Sequence, residues 1–87
     1  MNKYNFYYDI VKEAQNSKYR KAIVNNTQVN LDLCKYFLTE NITLVNANEK
    51  HIYPIVEQLK CDGENIEITI REDHIDDILE YLTVKMK

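Results

Sequence analysis

Apolar residues recur with helical spacing at the start of the chain. Within residues 3–15 they follow the i, i+3, i+4, i+7 pattern of one helix face, at Tyr4, Tyr7, Tyr8, Val11 and Ala14. Asn16 and Ser17 then interrupt the pattern. The spacing predicts an N-terminal helix over residues 3–15 with one side turned towards the core.

The end of the chain predicts a second helix with a continuous apolar face. That face consists of Ile75, Ile78, Leu79, Leu82 and Met86. Asp73 precedes it as the candidate N-cap, Asp76 and Asp77 fall in its first turn, and Lys85 and Lys87 lie at its end. Both charge groups complement the helix macrodipole, which supports the prediction.

Three segments have the composition of β-strands. Ile66, Ile68 and Ile70 alternate with polar residues, which is the clearest strand pattern in the chain. Residues 42–45 are rich in β-branched side chains. Residues 19–24 mix Tyr, Ile and Val ahead of an Asn-Asn pair, which predicts a strand that enters a turn.

The segment over residues 28–40 fits two patterns. Val29, Leu31 and Leu33 alternate with polar residues as in a half-buried strand, whereas the apolar residues from Leu33 to Leu38 have helical spacing. We expect a strand or turn that passes into a short helix.

A further helix is predicted to begin at Pro54, because a proline in the first helical turn loses no hydrogen bond. Ile55, Val56 and Leu59 would form its buried stripe. Asp62-Gly63 would end it, with the only glycine of the chain in the left-handed position after the helix.

The predicted element order is therefore helix, strand, uncertain helix, strand, helix, strand, helix. A sheet of about three strands packed by three to four helices would bury all of these apolar faces. The expected fold is a small α+β single domain that covers residues 1–87.

Composition narrows the class of protein. The 87 residues carry 11 Lys and Arg against 14 Asp and Glu, a net charge of −3. The resulting pI of about 5.3 argues against direct binding of nucleic acid by bulk charge. Uninterrupted apolar runs reach only three residues, so we predict no membrane segment and no secretory leader. A cytoplasmic location is expected, in which Cys34 and Cys61 are free thiols.

The reactive side chains form no catalytic or metal-binding motif. Cys34, His51, Cys61 and His74 are widely spaced, whereas structural zinc sites use pairs of ligands a few residues apart. One glycine cannot build a phosphate-binding loop. We therefore predict a protein that is not an enzyme and needs neither a metal nor a cofactor.

Negative charge is concentrated in the second half of the chain. Residues 1–44 hold six bases and four acids, and residues 45–87 hold five bases and ten acids. Within residues 62–80 there are eight acids and one base, Arg71. Clustered charge of one sign speeds association with an oppositely charged surface. We hypothesise that a basic surface of a protein partner is contacted by Glu64, Glu67, Asp73, Asp76, Asp77 and Glu80. The alternative is a solvated face that also stabilises the helix start.

The N-terminal segment offers a second candidate surface. Tyr4, Phe6, Tyr7 and Tyr8 lie within five residues, and one helix face cannot bury all of them. Tyrosine is enriched at protein interfaces because it joins a large apolar area to a polar tip. Tyr4 and Tyr8 are therefore candidate partner-binding residues, unless all of these rings cover the core. A homodimer is left open.

The C-terminal strand and helix resemble the strand–helix unit of BTB/POZ proteins. The strand is ENIEITI (64–70) and the helix is DHIDDILEYLTVK (73–85). The resemblance extends over residues 49–87 and implies a preceding helix over Ile52–Leu59. It also implies an adaptor subunit of a eukaryotic or viral assembly, as in the elongin-C branch of that family.

Two functions therefore remain open. Asn, Lys, Ile and Tyr, which have AT-rich codons, fill 36 of the 87 positions, whereas Gly, Ala, Arg and Pro fill seven. This bias, the small size and the acidic segment indicate a phage or mobile-element inhibitor of a host protein, of the anti-CRISPR or anti-defence type. It would dock on a basic, nucleic-acid-handling surface of that protein. The BTB-like adaptor is the alternative.

Overall fold

A computed structural model describes residues 2–87. In chain order its elements are α1 (Lys3–Gln15), β1 (Lys21–Asn25), α2 (Gln28–Phe37), β2 (Asn41–Asn46), β3 (Glu49–Pro54), β4 (Val56–Cys61), β5 (Asn65–Ile70) and α3 (Ile75–Met86). The predicted α+β class is confirmed. The strands form two sheets, however, where one sheet of about three strands was expected.

The larger sheet has the strand order β1-β5-β4 and is antiparallel throughout. The smaller sheet is the β2–β3 hairpin. β5 is therefore the central strand of the larger sheet, which explains its clear alternating pattern. Its inward residues Ile66, Ile68 and Ile70 are completely buried, while Glu67 and Thr69 point to the opposite face.

The helices cover the isoleucine face of this sheet. α1 contacts β1, β5 and α3, and it contributes Tyr7, Val11 and Ala14 to the core. Tyr7 stacks face to face on Phe37 of α2, with ring centroids 4.1 Å apart. α3 packs against α1 and contributes Ile78 and Leu82 to the same core. Both terminal helices are confirmed, and α1 has the predicted bounds.

The helix predicted from Pro54 is wrong, because residues 49–54 form β3 and residues 56–61 form β4. The register shifts between Val56 and Gln58, so Val56 pairs with Ile70 and Leu59 pairs with Ile68. A bulge of this kind adds one residue to a strand and turns two side chains three apart to the same face. Val56 and Leu59 thus imitate helical spacing within a strand.

The Asp62-Gly63 pair belongs to the turn between β4 and β5. The Asp62 carboxylate accepts hydrogen bonds from the backbone N–H groups of Glu64 and Asn65, at 2.8 and 2.7 Å. These bonds lower the pKa of Asp62. The pair is therefore a hairpin signal, and its interpretation as a helix end is corrected.

Residues 28–37 are helical from the first residue, so the strand expected at the start of this segment is not formed. Thr27 caps α2 by accepting a hydrogen bond from the backbone N–H of Asn30 at 3.1 Å. A cap of this type stabilises the first turn and outweighs the alternation of three apolar residues.

The resemblance to BTB/POZ proteins is only partly reflected in the fold. The strand over 65–70 is followed by the helix over 75–86, as the resemblance implies. The helix implied over Ile52–Leu59 is absent, since these residues lie in β3 and β4.

Candidate protein-binding site

The link between β5 and α3 positions the predicted acidic residues. β5 ends at Ile70, and His74 takes up the left-handed conformation with φ of 64° just before α3 begins. The first helical hydrogen bond runs from the Ile78 N–H to the His74 carbonyl at 2.9 Å. Asp73 was expected to cap the helix, but the N-cap is His74, which makes no side-chain capping bond. Asp76 and Asp77 occupy the first turn, where the helix dipole stabilises their charge.

Arg71 braces this link against the β2–β3 hairpin. Its guanidinium lies 4.3 Å from the centre of the Tyr53 ring and donates to the Pro54 carbonyl at 3.4 Å. The same group contacts the Asp73 carboxylate at 2.7 and 2.9 Å. The Arg71 hydrogen bond holds the pKa of Asp73 below its usual range. Asp73 is therefore paired with Arg71 on the solvent-exposed surface.

Five carboxylates gather around the start of α3 and form what we call the α3 acidic patch: Glu72, Asp73, Asp76, Asp77 and Glu80. All five residues are exposed to solvent. The side chains of Glu72, Asp73 and Asp77 keep 79%, 60% and 50% of their accessible surface, which leaves them open to a partner.

Only part of this charge is neutralised within the chain. Arg20 contacts Glu72 at 3.1 Å, and Arg71 contacts Asp73. Among residues 2–87, no basic side chain lies within 4.0 Å of Asp76 or Glu80. Five carboxylates against two guanidinium groups leave a local charge of −3 when His74 is neutral.

Two of the predicted site residues lie elsewhere. Glu67 points to the sheet face opposite the isoleucines and contacts Lys21 of β1 at 2.8 Å. The Lys21 hydrogen bond lowers the pKa of Glu67. Glu64 lies at the β4–β5 turn, eight residues before Glu72, which corresponds to about 26 Å along an extended strand. The structure therefore places neither residue with the α3 acidic patch.

The tyrosine candidates are partly used inside the fold. The Tyr4 hydroxyl lies 3.4 Å from the Glu40 carboxylate, and the Tyr81 hydroxyl of α3 donates to the same carboxylate at 3.0 Å. Burial, followed by the charge of Glu40, raises the pKa of Tyr4. Tyr8 is half-buried against the core. These contacts support the interpretation that the N-terminal rings cover the core.

Sequence reasoning missed the groups that shape the patch. Arg71 is the only base among residues 62–80, and that isolation next to Asp73 was the available signal. The Tyr53 ring lies between His74 and His51, at centroid distances of 5.5 and 6.2 Å. This contact joins the hairpin to the start of α3, and no local pattern could indicate it because residues 49–53 were not predicted to form a strand.

Within residues 2–87, no group of three or more His, Cys, Asp or Glu side chains is arranged to hold a metal ion. No helix among these residues combines the length and apolar character needed to cross a membrane. Both cysteines are free, as predicted, with Cys34 buried and Cys61 exposed. Burial raises the pKa of the Cys34 thiol to about 11.

Comparison with known proteins returned no matching family model, no matching curated protein and no matching solved structure.

Proposed function

We propose that this chain is a non-enzymatic binding module that docks on a basic surface of another protein through the α3 acidic patch. The observation that carries the proposal is the pair Asp76 and Glu80. Both are exposed on the first two turns of α3, and neither has a basic partner among residues 2–87. Their replacement leaves the buried face of α3, with Ile78 and Leu82, untouched.

The proposed target is a surface that handles nucleic acid. Such surfaces carry clustered Lys and Arg that neutralise phosphates. The carboxylates of the α3 acidic patch present negative charge on a rigid helix start, which is the complement of that surface. Residues three and four apart on a helix lie about 5–6 Å apart, so Glu80 lies close to both Asp76 and Asp77. Binding there would exclude the nucleic acid from its site.

The proposal also includes the kind of genome that encodes the protein and the compartment in which the protein acts. The amino-acid composition, rich in residues whose codons are AT-rich, favours a phage or mobile element that encodes an inhibitor of the anti-CRISPR or anti-defence type. It would act in the host cytoplasm on a host protein, without a cofactor and without direct contact to nucleic acid. The BTB-like adaptor loses the support of its implied helix over 52–59 and keeps only the strand over 65–70 that is followed by the helix over 75–86.

The decisive variant is Asp76→Lys with Glu80→Lys. Capture from host cells followed by mass spectrometry identifies the partner, and titration calorimetry with the purified partner then gives the affinity. We expect the variant to bind more than about tenfold more weakly at low salt, because charge reversal adds repulsion to the loss of attraction. Circular dichroism should show an intact fold.

Asp32→Lys with Glu57→Lys is the matched control. Both residues are exposed, they lie on α2 and β4, and the substitutions change the net charge by the same amount. The proposal predicts an affinity close to that of the wild type. Equal losses in the two double variants would mean that only net charge matters, and no loss in either would remove the patch from the interface.

A further inference from the structure

β1 is an edge strand, and some of its backbone N–H and C=O groups have no neighbouring strand to bond to. Its bonds to β5 are made by alternate residues, since Ile70 N–H donates to the Arg20 carbonyl and Asn26 N–H donates to the Glu64 carbonyl. In an antiparallel ladder the residues between such pairs direct their backbone groups to the other side. The N–H and C=O of Lys21 and the C=O of Ile23 therefore face away from the sheet.

A groove of about 220 Å³ runs beside this edge, between α1 and β1. Its apolar lining comes from Phe6 and Ile10 of α1 and from Ala22 and Val24 of β1, and two acids, Asp9 and Glu13, complete the lining. Phe6 and Val24 are only half-buried, so apolar surface is open along the groove. The groove lies where a fourth strand of the sheet would pack under α1.

Glu13 marks the position of that absent strand. Its carboxylate oxygen accepts a hydrogen bond from the Ile23 N–H at 2.7 Å. The Ile23 N–H is an outward group of the ladder, and in a longer sheet it would donate to a carbonyl of the next strand. The carboxylate occupies the place of that carbonyl on a flexible, exposed side chain that an incoming strand can displace.

The charge of the groove favours a basic partner segment over a second copy of this chain. Both polar side chains of the lining are acidic, so an incoming segment that carries Lys or Arg is attracted. A second copy would bring its own Asp9 and Glu13 to the same groove, because a two-fold interface places the same patch on both sides. Repulsion between those carboxylates opposes self-pairing.

We propose that the edge of β1 and the groove above it bind an extended segment of a partner protein by strand addition. The inward side chains of that segment would be an apolar residue, packed on Phe6 and Ile10, flanked by Lys or Arg opposite Asp9 and Glu13. Backbone bonds to Lys21 and Ile23 supply the register, as in other strand-addition complexes. This surface is separate from the α3 acidic patch and goes beyond the docking function proposed above.

The test uses two capped peptides as probes: Thr-Lys-Thr-Ile-Thr-Lys-Thr and the same peptide with Glu in place of Lys. Two-dimensional ¹H–¹⁵N NMR of the full chain follows the amides of Lys21, Ile23 and Asn25. The lysine peptide should shift these amides and slow hydrogen exchange at Lys21. It should bind about tenfold more tightly than the glutamate peptide, the effect expected for two exposed ion pairs.

Asp9→Asn with Glu13→Gln tests the charge, since both substitutions keep the side-chain size and an acceptor for the Ile23 N–H. The variant should lose the preference for the lysine peptide, whereas Asp76→Lys with Glu80→Lys should retain it. The proposal is overturned if neither peptide perturbs β1, or if the neutral variant keeps the preference. It is also overturned if light scattering shows a dimer whose formation alone shifts the β1 amides. A negative result with these peptides would not contradict the proposed role of the α3 acidic patch.

Discussion

At the scale of single residues, one carboxylate accepts hydrogen bonds from two tyrosines, whereas a third tyrosine lacks a partner among residues 2–87. Glu40 accepts hydrogen bonds from Tyr4 and Tyr81, whereas the fully buried Tyr7 hydroxyl has no hydrogen-bond partner among residues 2–87. Burial raises the pKa of both Tyr7 and Tyr81 to about 12, with a further contribution from Glu40. The two phenols thus lie close to the same carboxylate and differ in whether they bond to it.

Because of this difference, removing the hydroxyl group should change the free energy of unfolding in opposite directions at Tyr7 and Tyr81. Tyr7→Phe should raise the free energy of unfolding by about 1 kcal/mol, because it removes a buried polar group that lacks a protein partner and keeps the ring stacked on Phe37. Tyr81→Phe should lower it by about 1 kcal/mol, because its hydroxyl bonds to Glu40. Urea denaturation measures both, and equal losses would contradict this account of the cluster.

At the scale of elements, the turn of the β2–β3 hairpin contains two consecutive residues with positive φ. Ala47 and Asn48 have positive φ values of 50° and 70° and join the paired residues Asn46 and Glu49. Positive φ at both central residues is the signature of a type I′ turn. Asparagine tolerates this conformation, whereas alanine is disfavoured in it by about 1–2 kcal/mol. The strain therefore lies at Ala47.

Ala47→Asn should stabilise the protein by about 0.5–1 kcal/mol, because asparagine adopts the left-handed conformation more readily. Asn48→Ala is the matched control and should destabilise by a similar amount. Thermal and urea unfolding give both values. If the two substitutions change stability in the same direction, the strain does not reside in the turn conformation.

The elements differ in how far local sequence determines them. α1, β5 and α3 have long, uniform apolar patterns and were predictable, because each buries one face along its full length. β4 was not predictable, because its bulge depends on pairing with β5. The bulge turns Val56 and Leu59, which are three residues apart, to the same face and so imitates helical spacing. The Asp62-Gly63 turn carried the correct signal, but Pro54 had already suggested a helix.

At the scale of the whole molecule, only the placement of the predicted acidic residues can be compared with the sequence pattern. Asp76, Asp77 and Glu80 are exposed on α3, as helical spacing opposite the apolar face indicates. It could not show that Glu67 faces away from α3, because the side of the sheet that the helix covers is a tertiary property. The sequence also could not indicate that Glu13 accepts a hydrogen bond from the Ile23 N–H at the open edge of β1, since the two residues belong to different elements.

The central claim is that the α3 acidic patch binds its partner by charge. The most direct measurement is the dissociation constant of the wild-type complex over a salt series from about 50 to 500 mM, because salt screens exposed charge pairs within this range. The account predicts that wild-type affinity falls about tenfold or more across the series, while Asp76→Lys with Glu80→Lys is weak throughout. A wild-type affinity that is independent of salt and equal to that of the variant would contradict it.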